Sequence, residues 1–154
     1  MVSGTLFIQS PTVTVTAGAY HANDNIGGLL TLTNVAESPG VGLRLTQISV
    51  VDSANQKAQL EFLFFSSNPS ASTFTNNDAP VIHANDVSKY LGRVAVMASD
   101  YLTVGAKAVA CVSNIGLALV ANASRNLYCV ILTPGTPTYV ATTDLIVNLA
   151  LYPD

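Results

Sequence analysis

Along most of this chain apolar and polar residues alternate with a period of two, which places successive side chains on opposite faces of extended strands. Val13 and Val15 alternate with Thr12, Thr14 and Thr16. Leu60, Phe62 and Phe64 point one way while Glu61, Leu63 and Phe65 point the other. Leu127, Cys129 and Ile131 oppose Tyr128, Val130 and Leu132; Leu145, Val147, Leu149 and Leu151 oppose Ile146, Asn148, Ala150 and Tyr152. Several runs are thus apolar on both faces, as in a strand that is central in a sandwich or that meets a partner. In the run from Leu43 to Asp52 the apolar phase slips at Gln47, which predicts a β-bulge there.

Between the runs stand clusters of turn residues: ANDN before Gly27 and Gly28, ESPGVG at 37–42, SSNPSAS at 66–72, NNDAP at 76–80 and TPGTPT at 133–138. Gly supplies positive φ, Pro fixes φ, and Asn or Asp bonds its own backbone. Helical periodicity is confined to NDVSKYLG, with Asn85 or Asp86 as N-cap, a body near Val87 to Leu91 and Gly92 as the stop. Counting runs gives about eight strands joined by long loops as well as tight turns. The expected fold is all-β, a two-sheet antiparallel jelly roll or β-sandwich with one short helix, and with Phe62, Phe64, Leu127, Ile131, Val147 and Leu149 in the core or an interface. One domain is expected, with residues 1–16 as an extended arm or edge strand and residues 17–154 as the jelly roll.

Composition turns attention from chemistry to association. Of the 154 residues 49% are hydrophobic and only 10% charged, against about 25% charged in an average soluble domain. So few charges leave little to keep copies apart, which predicts a surface covered by neighbours. Closed symmetry is the usual solution, and a homo-oligomeric ring is expected, a trimer ahead of a dimer. The segment around Pro11 suits an edge or a crossing between chains, which makes Leu6, Phe7, Ile8, Val13 and Val15 the candidate interface.

The six Lys and Arg are scattered singly, so no basic stripe exists for nucleic acid. The N-terminus has neither the basic start nor the long apolar run of a secretory signal. The apolar stretch from Leu102 to Ala121 is interrupted by Lys107, Ser113 and Asn114 and reads as strands, with no membrane partner. Cys111 and Cys129 each sit inside an apolar run and read as reduced, buried thiols. A disulfide would need their strands to be neighbours, a separation the sequence leaves open.

The tetrapeptide His-Ala-Asn-Asp occurs twice, at His21 to Asp24 and His83 to Asp86, and contains both histidines. Imidazole and carboxylate are metal ligands, but one of each per loop is too few unless the loops meet, so both copies read as turn chemistry. No nucleophile elbow, phosphate loop or paired carboxylates stand in any one run. The chain is expected not to be an enzyme and to need no cofactor. Glu61 is the charge expected to be half-buried, with Arg44 as a partner in a structural ion pair. Exposed Tyr20, Tyr90, Tyr101 or Tyr139 would serve a sugar-binding jelly roll, a reading weakened by the absence of Trp. The sequon Asn122-Ala123-Ser124 has meaning only in a secreted eukaryotic protein.

The strings ISVVD at 48–52, QLEFLFFS at 59–66, YLGRVAV at 90–96, GLAL at 116–119, NLYCVILTPGTPTYVATTDLIVNLAL at 126–151 and the closing Asp154 resemble a family of small structural proteins of tailed bacteriophages. In that family a strand ending in Asp precedes a leucine-glutamate-leucine strand, and a tyrosine-bearing strand precedes a Gly-x-Pro-Thr-Tyr turn, here Gly135, Thr136, Pro137, Thr138 and Tyr139. The resemblance covers residues 43–154 and carries no catalytic motif. It implies a capsid decoration or cement protein with a jelly-roll core, made in the host cytoplasm and seated on the outer capsid surface. Its partners would be its own copies and the major capsid protein; a tail, collar or head-fibre component is the other reading in the same class.

Overall fold

The computed structural model describes residues 4–154. Its strands are β1 (Phe7–Gln9), β2 (Gly18–Ala19), β3 (Asp24–Leu32), β4 (Gly42–Asp52), β5 (Leu60–Phe65), β6 (Tyr90–Val96), β7 (Tyr101–Val104), β8 (Lys107–Val120), β9 (Leu127–Thr133), β10 (Thr138–Tyr139) and β11 (Leu145–Pro153). They form a five-stranded sheet, β1-β11-β4-β8-β7, a four-stranded sheet, β3-β9-β5-β6, and a small ribbon of β10 and β2. With β2, β7 and β10 set aside, the other strands pair as one long hairpin folded on itself: β5 with β6, β4 with β8, β3 with β9, and β1 with β11. Successive rungs fall in alternate sheets, which is the jelly-roll arrangement. All pairings are antiparallel, as the sequence led us to expect.

The core lies between the two sheets. Phe62, Phe64, Leu127 and Ile131 of the four-stranded sheet and Val147 and Leu149 of the five-stranded sheet are all buried, in agreement with the period-two pattern. Burying a side chain of this size contributes about 1.5–3 kcal/mol. The bulge expected at Gln47 is present, and the residue left out of the pairing is its neighbour Thr46: the register of β4 jumps from Leu45 to Gln47 against both β8 and β11. Opposite Thr46, β8 carries Asn114 and Gly116 at φ 57 and 69. A second bulge interrupts β3 at Gly27 and Gly28, with φ 81 and 75. A Cβ on Gly27 would stand 2.9 Å from Val13 Cγ1, so glycine is needed there for space as well as for φ.

The expected short helix is a 3-10 segment, Ala84–Lys89, and its cap is His83, whose Nδ1 accepts the Asn85 N–H at 3.1 Å. Gly92 does not stop it; that residue is already within β6. A further 3-10 turn spans Ala98–Asp100. The long connection from β5 to Ala84–Lys89 folds over the outer face of the four-stranded sheet. There Phe74 packs on Phe65, which also meets Tyr90. The backbone of Asn77 and Asp78 pairs with Asn25 on the edge strand β3. One side chain ties this loop to three other segments. Asn76 Oδ1 accepts the Tyr20 hydroxyl at 2.7 Å and the Gly27 N–H at 2.9 Å, while its Nδ2 donates to the Thr14 carbonyl at 3.2 Å and to Thr16 Oγ1 at 3.1 Å.

Candidate assembly surface

The five-stranded sheet buries one face in the core and leaves the other uncovered. Because register fixes which side chains stand side by side, that outer face can be read row by row. Leu102 on β7 is beside Val109 on β8, Val109 beside Val51 on β4, and Val51 beside Ile146 on β11. The next row is Cys111, Ser49 and Asn148, and the next is Ser113, Gln47, Ala150 and Ile8. Leu102 is 66% exposed, Ile8 57% and Ile146 50%. Charge appears only at the ends of the face. Lys107 stands opposite Val104 beside the β7–β8 turn, and Arg44, beside Tyr152, lies at the other end with its Nε donating to Asp154 Oδ1 at 2.6 Å.

This face is less charged than composition alone implied, because acids are consumed inside the fold. Four of the nine acidic residues, Asp24, Asp52, Asp86 and Asp144, are buried. Asp52 accepts the N–H groups of Ala54, Gln56 and Lys57, and Asp144 those of Val140 and Ala141. Hydrogen bonds from Lys89 Nζ at 2.7 Å and Ser72 Oγ at 2.6 Å hold the Asp86 carboxyl below the usual aspartate range. Each of these carboxylates stabilises a turn or a loop.

Of the five interface residues named from the sequence, Val13 and Val15 lie in the chain's own core and Phe7 packs against it; Leu6 and Ile8 are exposed. The N-terminal segment is thereby woven into the roll: β1 is an edge strand on β11, and the Val15 N–H donates to the Thr142 carbonyl at 3.0 Å. Cys129 is buried, and burial pushes its thiol pKa up, but Cys111 is exposed in the middle of the uncovered face, contrary to the expectation that both were buried. Both thiols are free. The run 107–120 is apolar on both sides, so hydropathy alone could not tell which side of β8 was inside.

Glu61 does not meet Arg44, which belongs to the other sheet. Its Oε1 accepts from Gln59 at 2.8 Å, and Oε2 stands 3.4 Å from Arg93 on the neighbouring strand β6. Tyr20 and Tyr139 are not exposed platforms. They are buried and meet edge to face at 5.8 Å, and burial, followed by the Asp52 carboxylate, raises the Tyr139 pKa. The two His-Ala-Asn-Asp copies close the same backbone turn, Asp24 N to His21 O at 3.2 Å and Asp86 N to His83 O at 2.9 Å. Among the described residues no three of His, Cys, Asp and Glu gather as a metal cluster. Asn122 Oδ1 accepts the N–H of Ser124 and of Asn126, which makes the sequon a turn. No helix among the described residues is long and apolar enough to cross a membrane.

The row from Leu102 to Ile146 was not singled out from the sequence. Its signal was present in the two-faced apolarity of 145–152, but the same signal in 127–132 has another cause: Val130 faces outward and is buried all the same, on the face over which the long loop folds.

No family model and no curated protein matches the chain. Among solved structures, the chain is similar to one from tomato aspermy virus, with a TM-score of 0.41, 6% identity, and coverage of 99% of this chain and 78% of that one. It is also similar to the K3 cleaved adhesin domain of Lys-gingipain from Porphyromonas gingivalis, with a TM-score of 0.37, 15% identity, and coverage of 89% and 70%. At these scores neither likeness bears on function.

Proposed function

We propose that this protein is a structural component of a virion, a decoration protein that sits on the outside of a tailed-bacteriophage capsid, bridges capsomers of the major capsid protein and associates with copies of itself. The observation that carries the reading is the uncovered face of the five-stranded sheet, where apolar and uncharged side chains stand in register across four strands. Large apolar side chains such as Leu102 and Ile146, half or more exposed, forgo part of the about 1.5–3 kcal/mol that full burial of each contributes until something covers them. An assembly component recovers that energy in many weak contacts, which add through avidity to brace a shell. The sequence resemblance over residues 43–154 points to the same class, and the buried acids serve turns in place of any acid–base pair. In this reading the protein performs no catalysis.

The test is to find the protein in purified particles and count it. Hundreds of copies per particle, placed on the outer head surface by electron cryo-microscopy, is the expected result. A dozen copies or fewer would move it to the tail, collar or head fibres, and absence from purified particles would overturn the virion role.

A further inference from the structure

We propose that the uncovered face of the five-stranded sheet pairs with the same face of a second copy, about a two-fold axis that runs along the central strand β4. The inference rests on the self-association in the reading above and adds the surface and the symmetry.

The surfaces of the roll differ in what they offer a second copy. The outer face of the four-stranded sheet already carries the loop that Asn76 ties down. The terminal strands of the five-stranded sheet are short, three residues in β1 and four in β7, and the part of β8 that runs past β7, residues 111–120, is broken by the irregularity at Asn114 and Gly116; short or bulged edges are poor templates for edge-to-edge pairing. The open face offers a flat array of strands in register instead. In the strand order β1-β11-β4-β8-β7, β4 is central. A two-fold along it lays β8 over the partner's β11 and β7 over the partner's β1 side, and it keeps each row on its own counterpart. Val51 then meets its own copy near the axis, and Val109 of each chain meets Ile146 of the other.

The last member of the row, Leu102, also finds a place. Beside Ile146 the sheet has a gap, because β1 pairs with β11 only at Leu149 to Leu151 and the chain rejoins it only where the Val15 N–H meets the Thr142 carbonyl. The gap is a depression lined by Ser10, Pro11, Thr12, Val13 and Ile146. The same two-fold that stacks the apolar row brings the projecting Leu102 of one copy over this depression in the other, a knob and a hole on opposite edges of one face. Such matching of a patch to itself is what an isologous interface requires.

Charge does not oppose the pairing. The rows between the two ends carry no ionisable side chain other than the Cys111 thiol, and Arg44 is neutralised within its own chain by Asp154. The area fits a weak, reversible pairing. β8, β4 and β11 fill four rows each, β7 adds one or two positions and β1 one, and at about 4.8 Å by 6.7 Å per position these give roughly 450 Å² per copy, or roughly 900 Å² for the pair, below the about 1,200 Å² of standard interfaces. A two-fold makes a dimer, where the sequence led us to expect a trimer.

The experiment is light scattering on the full chain at micromolar concentration, with thiol labelling of Cys111 by a maleimide as a local probe. Wild type is expected to be a dimer with Cys111 slow to react, because the partner's β11 covers it. Leu102→Asp and Ile146→Asp each put an unpaired charge into both halves of the interface and should raise the dissociation constant at least about a hundredfold, giving monomers whose Cys111 reacts at the rate of a free thiol. Val87→Asp, at an exposed apolar site on the 3-10 segment Ala84–Lys89, is expected to remain dimeric. Circular dichroism checks that each variant is folded. In a Cys111→Ser background, Leu102→Cys combined with Thr12→Cys should oxidise to a covalent dimer.

A wild-type dimer that survives both Asp substitutions with Cys111 freely reactive would overturn this surface and leave self-association standing. A trimer in wild type would overturn the two-fold. A wild-type monomer would overturn the self-association itself; if its face variants then fail to bind purified heads, the face belongs to the shell.

Discussion

Replacing Asn76 by Ala removes a side chain whose full hydrogen-bonding capacity is in use, two acceptor sites and two donors. Its amide joins four segments: the carbonyl of Thr14 and hydroxyl of Thr16 in the N-terminal segment, the Tyr20 hydroxyl, the Gly27 N–H at the β3 bulge, and the long loop itself. Four bonds at a net 0.5–1.5 kcal/mol each would total about 2–6 kcal/mol. The bond to Thr14 is exposed and water replaces it cheaply, so about 2–4 kcal/mol is the expected loss. For a domain of this size about 3 °C of melting temperature corresponds to 1 kcal/mol, which puts the Asn76→Ala midpoint about 6–12 °C below wild type. The assay is thermal unfolding at one fixed protein concentration, since the proposed self-association would move the midpoint. Tyr20→Phe supplies the second arm of a double-mutant cycle. Its hydroxyl donates to Asn76 and accepts the Thr16 N–H at 2.7 Å. The double variant should therefore lose about 1 kcal/mol less than the sum of the singles. Additivity within 0.3 kcal/mol, or a midpoint shift under 2 °C for Asn76→Ala, would refute the claim that this amide pins the loop.

Phe64→Ala should cost about 3–5 kcal/mol in urea unfolding, because the ring is fully buried and its strand neighbours are Gly92 and Cys129, which are too small to fill the space; a loss under 0.5 kcal/mol would contradict its placement. The folded-state pKa of Asp86 is lowered, so the stability it contributes is present above its unfolded value and is lost as pH falls through the folded one. Asp86→Asn should accordingly be less stable than wild type at pH 6, with a shallower decline in melting temperature toward pH 2. Removing residues 2–9 deletes β1 and should leave a folded β domain by circular dichroism, whereas removing residues 2–16 also takes Val13, Val15 and two partners of Asn76 and should abolish cooperative unfolding.

The architecture was legible because both sheets read out in the simplest periodicity a sequence has. Leu60, Phe62 and Phe64 alternate with their outward neighbours so regularly that their burial follows from spacing alone, and the phase slip at Gln47 located a bulge to within one residue. Pairing was less legible, since cross-strand partners depend on register between distant segments. Glu61 meets Arg93 and not Arg44 because β6 is the neighbour of β5. Capping failed for a similar reason: any of several residues in HANDVSK can cap, and Asp86 is engaged by the distant Ser72 and by Lys89 while the His83 ring accepts the Asn85 N–H. The uncovered face was half legible. Apolarity on both faces of 127–132 and of 145–152 looked the same, and only the path of the long loop shows that the first is covered from within while Ile146 and Tyr152 remain open.

The nesting of the strands also sets an order in time. β5 and β6 are the inner pair of the folded hairpin, whereas Phe7 must find Leu151 across almost the whole chain. Loop closure between such distant segments has to be complete before their contacts repay it, which makes a roll of this kind a slow folder. β1 has three residues and β11 as its one strand partner, so it is expected to be the last rung to form and the first to fray. While it is absent, the backbone of β11 from Leu149 to Leu151 is an open edge, and a newly made chain spends that interval at its most prone to pair with the wrong neighbour.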